Sequence, residues 1–160
     1  MTTKLTVLAT GGTIAGIAGS AIAHDYRAGE IGIEDYLERV GGLGLEAELS
    51  GTQIANIDSA DIGPTVWQRL YAASMAALAE EDCHGIIVTH GTDTLEETAF
   101  LLDLTLPATK PVVVVGAMRP ADAVGYDGLR NFANAVRVAS DAQAAGRGVL
   151  VVMGDRVFAA

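Results

Sequence analysis

The sequence predicts an α/β fold: an open, mostly parallel sheet with helices on both sides, the three-layer αβα arrangement of Rossmann and flavodoxin-like proteins. Three observations carry this. Four short runs, LTVLA (5–9), GIIVT (85–89), VVVVG (112–116) and GVLVVM (148–153), are apolar without alternation, as parallel strands buried on both faces are. The segments between them carry helical spacing, and strands alternating with helices of this length build a parallel sheet. With 160 residues, half of them apolar, the chain has material for one domain with a sizeable core.

The first strand passes straight into Thr10-Gly11-Gly12-Thr13-Ile14-Ala15-Gly16, where the glycines allow a tight turn. Residues 16–30 then break the rhythm. They are rich in Gly and Ala, include Ser20, His24, Asp25 and Tyr26, and hold no sustained period, which reads as a mobile flap that ligand would close over Thr13. A helix starts at Pro64, with Trp67, Leu70, Tyr71, Ser74 and Leu78 on one face. A second starts near Thr94, where Glu96 and Glu97 suit the positive end of the helix dipole. A third runs from about residue 129 to 144, with Phe132, Val136 and either Ala139 or Ser140 sharing a face, and Gly146 stops it before the last strand. The chain ends at Ala160 just after that strand, which leads to the expectation of a chain cut short.

Twenty acidic residues against ten basic ones give a net charge of −10, which repels phosphate backbones and anionic membrane surfaces. Nucleic acid and membrane are therefore not expected as partners. The apolar run 5–9 is too short for a secretory signal or a membrane span, so the chain reads as cytoplasmic. The lone Cys83 permits neither an internal disulfide nor a zinc cluster and reads as a structural thiol.

In an open parallel sheet the ligand lies outside the carboxyl ends of the strands. After the first strand, the glycine turn presents the Thr13 hydroxyl; it lacks the Lys-Ser or Lys-Thr of a P-loop and the spacing of a dinucleotide fingerprint. After the 85–89 strand comes His90-Gly91-Thr92-Asp93-Thr94, at a helix entrance that favours anions. Helix capping explains one of its three polar residues, leaving Asp93 to hold an ammonium group and Thr92 as nucleophile or relay. His90 is either a base or a hydrogen-bonded structural residue. After the 112–116 strand, Ala117 offers a carbonyl to the same rim, and Arg119 is either a carboxylate clamp or a surface residue. Two threonines from two strand ends, with an aspartate between helix N–H groups, suggest covalent acyl transfer on a small zwitterion.

TGGTIAG, HGTDTLEETAF and VGAMRP, in this order and spacing, resemble the bacterial-type asparaginase/glutaminase family. The similarity runs along the whole chain and covers roughly the first half of that two-domain family. It implies that residues 1–160 are the N-terminal α/β domain, with the smaller C-terminal domain absent. It further implies hydrolysis of L-asparagine, or L-glutamine, to the acid and ammonia through an acyl-enzyme, with no metal or organic cofactor and a homo-oligomeric assembly. The implied catalytic residues are Thr13 as nucleophile, Tyr26 as its flap partner, Thr92 and Asp93. The implied substrate contacts are Gly12, Asp58, Ser59, Gly91, Thr92, Asp93 and Ala117, with Ser59 receiving the α-carboxylate, Asp93 the α-amino group and the Ala117 carbonyl the side-chain amide.

Two departures stand out. Ala60 follows Ser59 where many members carry a polar residue. The family also pairs the HGTDT threonine with a lysine shortly beyond the 148–153 strand, whereas the lysines here are Lys4 and Lys110, each preceding a strand and so expected at the opposite rim. Hence a second expectation from another class: a domain that binds small amino acids, or assembles with a partner, without turnover. A third, the ammonia-supplying amidotransferase subunit built on this fold, is opposed by the acidic charge.

Overall fold

The structure is a computed structural model that describes residues 2–22, 25–107 and 109–160; His24 of the expected flap lies outside them. Strands β1 (Thr3–Gly11), β2 (Ala47–Ile57), β3 (Gly85–Thr89), β4 (Val112–Val115) and β5 (Val149–Met153) run parallel, and β6 (Arg156–Ala159) returns antiparallel beside β5. Their order across the sheet is β2-β1-β3-β4-β5-β6. Helices α1 (Ile33–Gly41), α2 (Pro64–Ala79), α3 (Leu95–Thr105) and α4 (Gly128–Ser140) fill the connections.

Successive strand residues point to opposite faces, so each apolar run feeds two cores. Leu5, Val7, Ile87, Val113, Val115 and Val152 meet α1 and α4 through Tyr36, Val40, Phe132 and Val136. On the other face Leu8, Ile86, Val88, Val112, Val114 and Val151 meet α2 and α3 through Leu70, Leu78 and Leu102. Burial of one such side chain contributes about 1.5–3 kcal/mol. The β3 to β4 and β4 to β5 connections step the same way along the sheet, yet α3 and α4 lie on opposite faces, so the two crossovers differ in hand. That reversal lays α4 against α1, where the Tyr36 and Phe132 rings meet edge to face at 5.3 Å.

All four expected strands are present, with ends trimmed to Val115 and Val149. The structure adds α1, β2 and β6. α1 is short, but its buried Ile33, Tyr36 and Val40 share one face, and Glu34, Asp35 and Arg39 suit its dipole. β2 lies at the sheet edge and is largely exposed, so it lacks a continuous apolar run. β6 follows a two-residue turn in which Gly154 and Asp155 both take positive φ, the geometry of a tight hairpin. Two expectations are corrected. Tyr71 on α2 is exposed, and Ala77 packs inward with Leu70, Ser74 and Leu78. The third helix stops at Ser140, because the Asp141 carboxylate accepts the Gln143 N–H at 2.9 Å and starts a separate turn, 142–144; Ala139, not Ser140, is buried.

Candidate active site

With β2 and β3 on opposite sides of β1, the strand order reverses at β1, and in this architecture ligands lie beyond the carboxyl ends of the strands at such a point. Gly11 and Gly12 turn the chain there with φ of 101° and 76°, and the Gly12 N–H donates to the Ile57 carbonyl at 2.9 Å. The turn has no room for a side chain: a Cβ on Gly12 would lie 2.3 Å from Gly91 N and Cα. Thr13 opens a 3-10 turn, Thr13–Ala15, and is buried. Behind it, Tyr126 donates its hydroxyl to the Ile14 carbonyl at 2.6 Å; burial pushes its pKa up to about 12 and keeps it a donor.

The hydroxyls of Thr13 and Tyr26 are 2.6 Å apart, although Tyr26 is 40% exposed. The segment carrying Tyr26 is tied at its stem. Ile17 and Arg27 exchange N–H to carbonyl bonds at 3.0 and 2.9 Å, Gly29 N–H donates to the Gly12 carbonyl at 3.2 Å, and Ala121 N–H to the Gly16 carbonyl at 2.8 Å. The Asp122 carboxylate accepts the Ala18 and Gly19 N–H groups, each at 2.8 Å, and the Ala18 N–H holds its pKa below the ordinary value. These bonds hold the described part of the flap so that Tyr26 lies on Thr13.

Asp58 caps the turn Ser59–Asp61 by accepting the Ala60 N–H at 3.0 Å. Ser59 is buried at 2% exposure; its Oγ accepts the Asp93 N–H at 3.1 Å, which leaves its own proton to donate. Thr94 heads α3 but does not cap it, because its hydroxyl donates to the Ser59 carbonyl at 2.8 Å. Gly91 packs on Ser59, and Gly116 packs on Thr92. These contacts and chain adjacency bring Gly12, Thr13, Asp58, Ser59, Gly91, Thr92, Asp93 and Ala117 to one rim of the sheet, with Asp93 exposed and Ala117 buried.

His90 is fully buried, with Nδ1 2.7 Å from the Gly91 carbonyl. A carbonyl only accepts, so Nδ1 carries the proton; Nε2 has no partner among the described residues, and burial lowers the pKa. The backbone bond and the burial of the ring fit the structural alternative. Arg119 is exposed and turns to the Gly125 carbonyl at 3.4 Å, away from a clamp. Both lysines sit at the amino ends of the strands: Lys4 pairs with Asp82 at 2.8 Å and Lys110 donates to the Glu80 carbonyl at 2.6 Å. Cys83 is buried and donates to the Gly85 carbonyl at 3.3 Å. Among the described residues no three His, Cys, Asp or Glu side chains are grouped to hold a metal, and no helix is long and apolar enough to cross a membrane.

Sequence reasoning gave no role to Asp122, Tyr126, Asp127 or Asn131, all of which touch the loops of this site. Only the two aspartates, Asp122 and Asp127, set in the loop after VGAMRP could have drawn attention to them. A cleft of about 860 Å³ between Leu43, Leu45, Leu129 and Arg137 lies by Thr3 at the far end of the sheet.

The family model described as asparaginase, N-terminal, matches residues 4–160. A probable L-asparaginase 4 of Schizosaccharomyces pombe is 47% identical over 98% of this chain and 44% of its own length. A probable periplasmic L-asparaginase of Haemophilus influenzae shows the same 47% over 98% and 44%. The crystal structure of a probable cytoplasmic L-asparaginase from Campylobacter jejuni superposes with a TM-score of 0.90 at 42% identity, covering 98% of this chain and 48% of that one. The chain therefore spans less than half the length of these relatives.

Proposed function

Because this chain belongs to the asparaginase family, matching its N-terminal model over residues 4–160, we propose that it binds L-asparagine in the crevice beyond β1 and β3 and hydrolyses it. The observation that carries this reading is the buried Thr13 hydroxyl 2.6 Å from the Tyr26 hydroxyl, at the point where the strand order reverses. Thr13 Oγ1 attacks the side-chain amide carbon, the C–N bond breaks, and ammonia leaves with the threonine proton. Water then cleaves the ester, releasing L-aspartate and restoring Thr13. Ser59 donates to the α-carboxylate, Asp93 holds the α-ammonium, and Thr92 stands beside the amide as a second hydroxyl. Gly12, Asp58 and Gly91 shape the crevice, and the Ala117 carbonyl accepts from the side-chain amide. L-Glutamine, one methylene longer, is the alternative substrate. Ammonia release from L-asparagine by this chain, with Thr13→Ala as control, tests the reading: a variant that keeps its rate refutes it.

The placement of both lysines at the far rim favours a second reading, binding without turnover. Calorimetry with L-asparagine and L-aspartate separates the two, since a binder gives heat but no ammonia. We also propose that the chain self-associates through the exposed Ile22, Met118 and Val124, which flank a hollow beside Tyr26. A monomer in sedimentation would count against this.

A further inference from the structure

Ala117 is buried at the end of β4, and its carbonyl has no hydrogen-bond donor among the described residues. The two peptide planes that flank it are each gripped by a side chain from the start of α4. Asn131 Nδ2 donates to the Gly116 carbonyl at 3.0 Å. The Asp127 carboxylate accepts the Met118 N–H with both oxygens, at 3.1 and 3.0 Å, and the Arg119 N–H at 3.0 Å. Asn131 Nδ2 also donates to Asp127 at 3.0 Å, so the two side chains hold each other, and Asn131 Oδ1 accepts the Gly154 N–H at 3.2 Å.

Asp127 occupies the cap position of α4 yet caps nothing in its own helix; its carboxylate is committed to the loop after β4. A trans peptide is planar, so its C=O and N–H point in opposite directions. Gripping the Met118 N–H therefore aims the Ala117 carbonyl the other way. Gripping the Gly116 carbonyl fixes the preceding plane, so both dihedrals of Ala117 are set from outside. Bonds to the ionised carboxylate make the grip stiffer than neutral ones would.

We infer that Asp127 and Asn131 are positioning residues that aim the Ala117 carbonyl at the side-chain amide of the substrate, favouring an amide over a carboxylate there. The inference rests on the reading of this crevice as an L-asparagine site. An amide NH₂ donates to a carbonyl, whereas a carboxylate brings only acceptors against it. Loosening the grip should therefore weaken L-asparagine selectively, which a general structural role would not do.

The test is calorimetric titration of the chain with L-asparagine and with L-aspartate. In Asp127→Asn the carboxamide NH₂ replaces the oxygen that accepts from Asn131 Nδ2 and shares the Met118 N–H, so donor faces donor, the two side chains no longer hold each other, and L-asparagine affinity is expected to fall about tenfold. L-Aspartate affinity is expected to stay within about twofold. Asn131→Ser, which releases the Gly116 carbonyl, should show the same selectivity. Equal weakening of both ligands, or none, overturns the inference while leaving the site reading in place. A wild-type chain that binds neither ligand overturns both. If neither variant folds, amide hydrogen exchange in the ligand-free wild type decides: slowed exchange at Met118 and Arg119 supports the grip, and exchange at the rate of an open loop overturns it.

Discussion

Gly12 and Gly91 meet backbone to backbone across the gap between β1 and β3, so close that a Cβ on Gly12 would stand 2.3 Å from Gly91 N. The contact brings the loop of Thr13 against the loop of Thr92. Gly12 also takes a φ of 76°, which a side chain resists. Gly12→Ala is expected to destabilise the fold by about 3 kcal/mol or more. A urea midpoint equal to that of the wild type would refute the close approach.

Removing the Tyr26 hydroxyl separates function from stability. Because Tyr26 is 40% exposed and its hydroxyl meets Thr13, Tyr26→Phe should change stability by only about 0.5 kcal/mol. Ammonia release should fall about a hundredfold. Parallel denaturation and rate measurements check this, and a rate near that of the wild type would remove Tyr26 from the proposed chemistry.

His90 gives the fold a pH signature. Burial holds its pKa below 6.5, so below pH 6.5 the unfolded chain takes up a proton that the folded chain refuses. Stability contributed by the neutral ring is flat above pH 6.5 and declines as pH falls toward the lowered folded value. His90→Asn should flatten the profile in that window by at most one proton, about 1.4 kcal/mol per pH unit. Asp82, Asp122 and Asp155, whose folded pKa values are depressed below 3.8, act in a separate window: their contribution is present above that value and is lost as pH falls through the folded ones. Denaturation of both proteins across the two windows provides the check.

The latch on the flap stem can be opened without touching Thr13. Asp122→Ala removes the acceptor of the Ala18 and Gly19 N–H groups, and Arg27, whose side chain is exposed, offers trypsin a site in that stem. Tryptic cleavage after Arg27 should accelerate about fivefold or more. A time course that matches the wild type would mean the remaining bonds of Ile17 with Arg27, Gly29 with Gly12 and Ala121 with Gly16 secure the segment.

How much of this was legible in the sequence depended on burial. Val112–Val115 and Gly85–Thr89 could be read because a strand covered on both faces needs nothing but apolar residues. Ala47–Ile57 could not, since an edge strand wets most of its side chains and loses that signal. α1 carried Ile33, Tyr36 and Val40 at helical spacing, but in only nine residues beside the irregular flap. At the candidate site, Thr13, Thr92 and Asp93 drew attention because strand ends are where ligands bind in this architecture. Asp127 and Asn131 were not, because their roles depend on a helix crossing over the sheet to reach a loop earlier in the chain. An aspartate before a glycine at a helix start reads only as a cap.

The two lysines, set among Asp82 and Glu80 at the amino ends of the strands, give the molecule a chemical handle at one end. Attachment to an amine-reactive surface through Lys4 and Lys110 would anchor the protein by that end and turn the crevice of Thr13 and Asp93 toward solution. Oriented immobilisation for ligand sensing would then require no engineered tag.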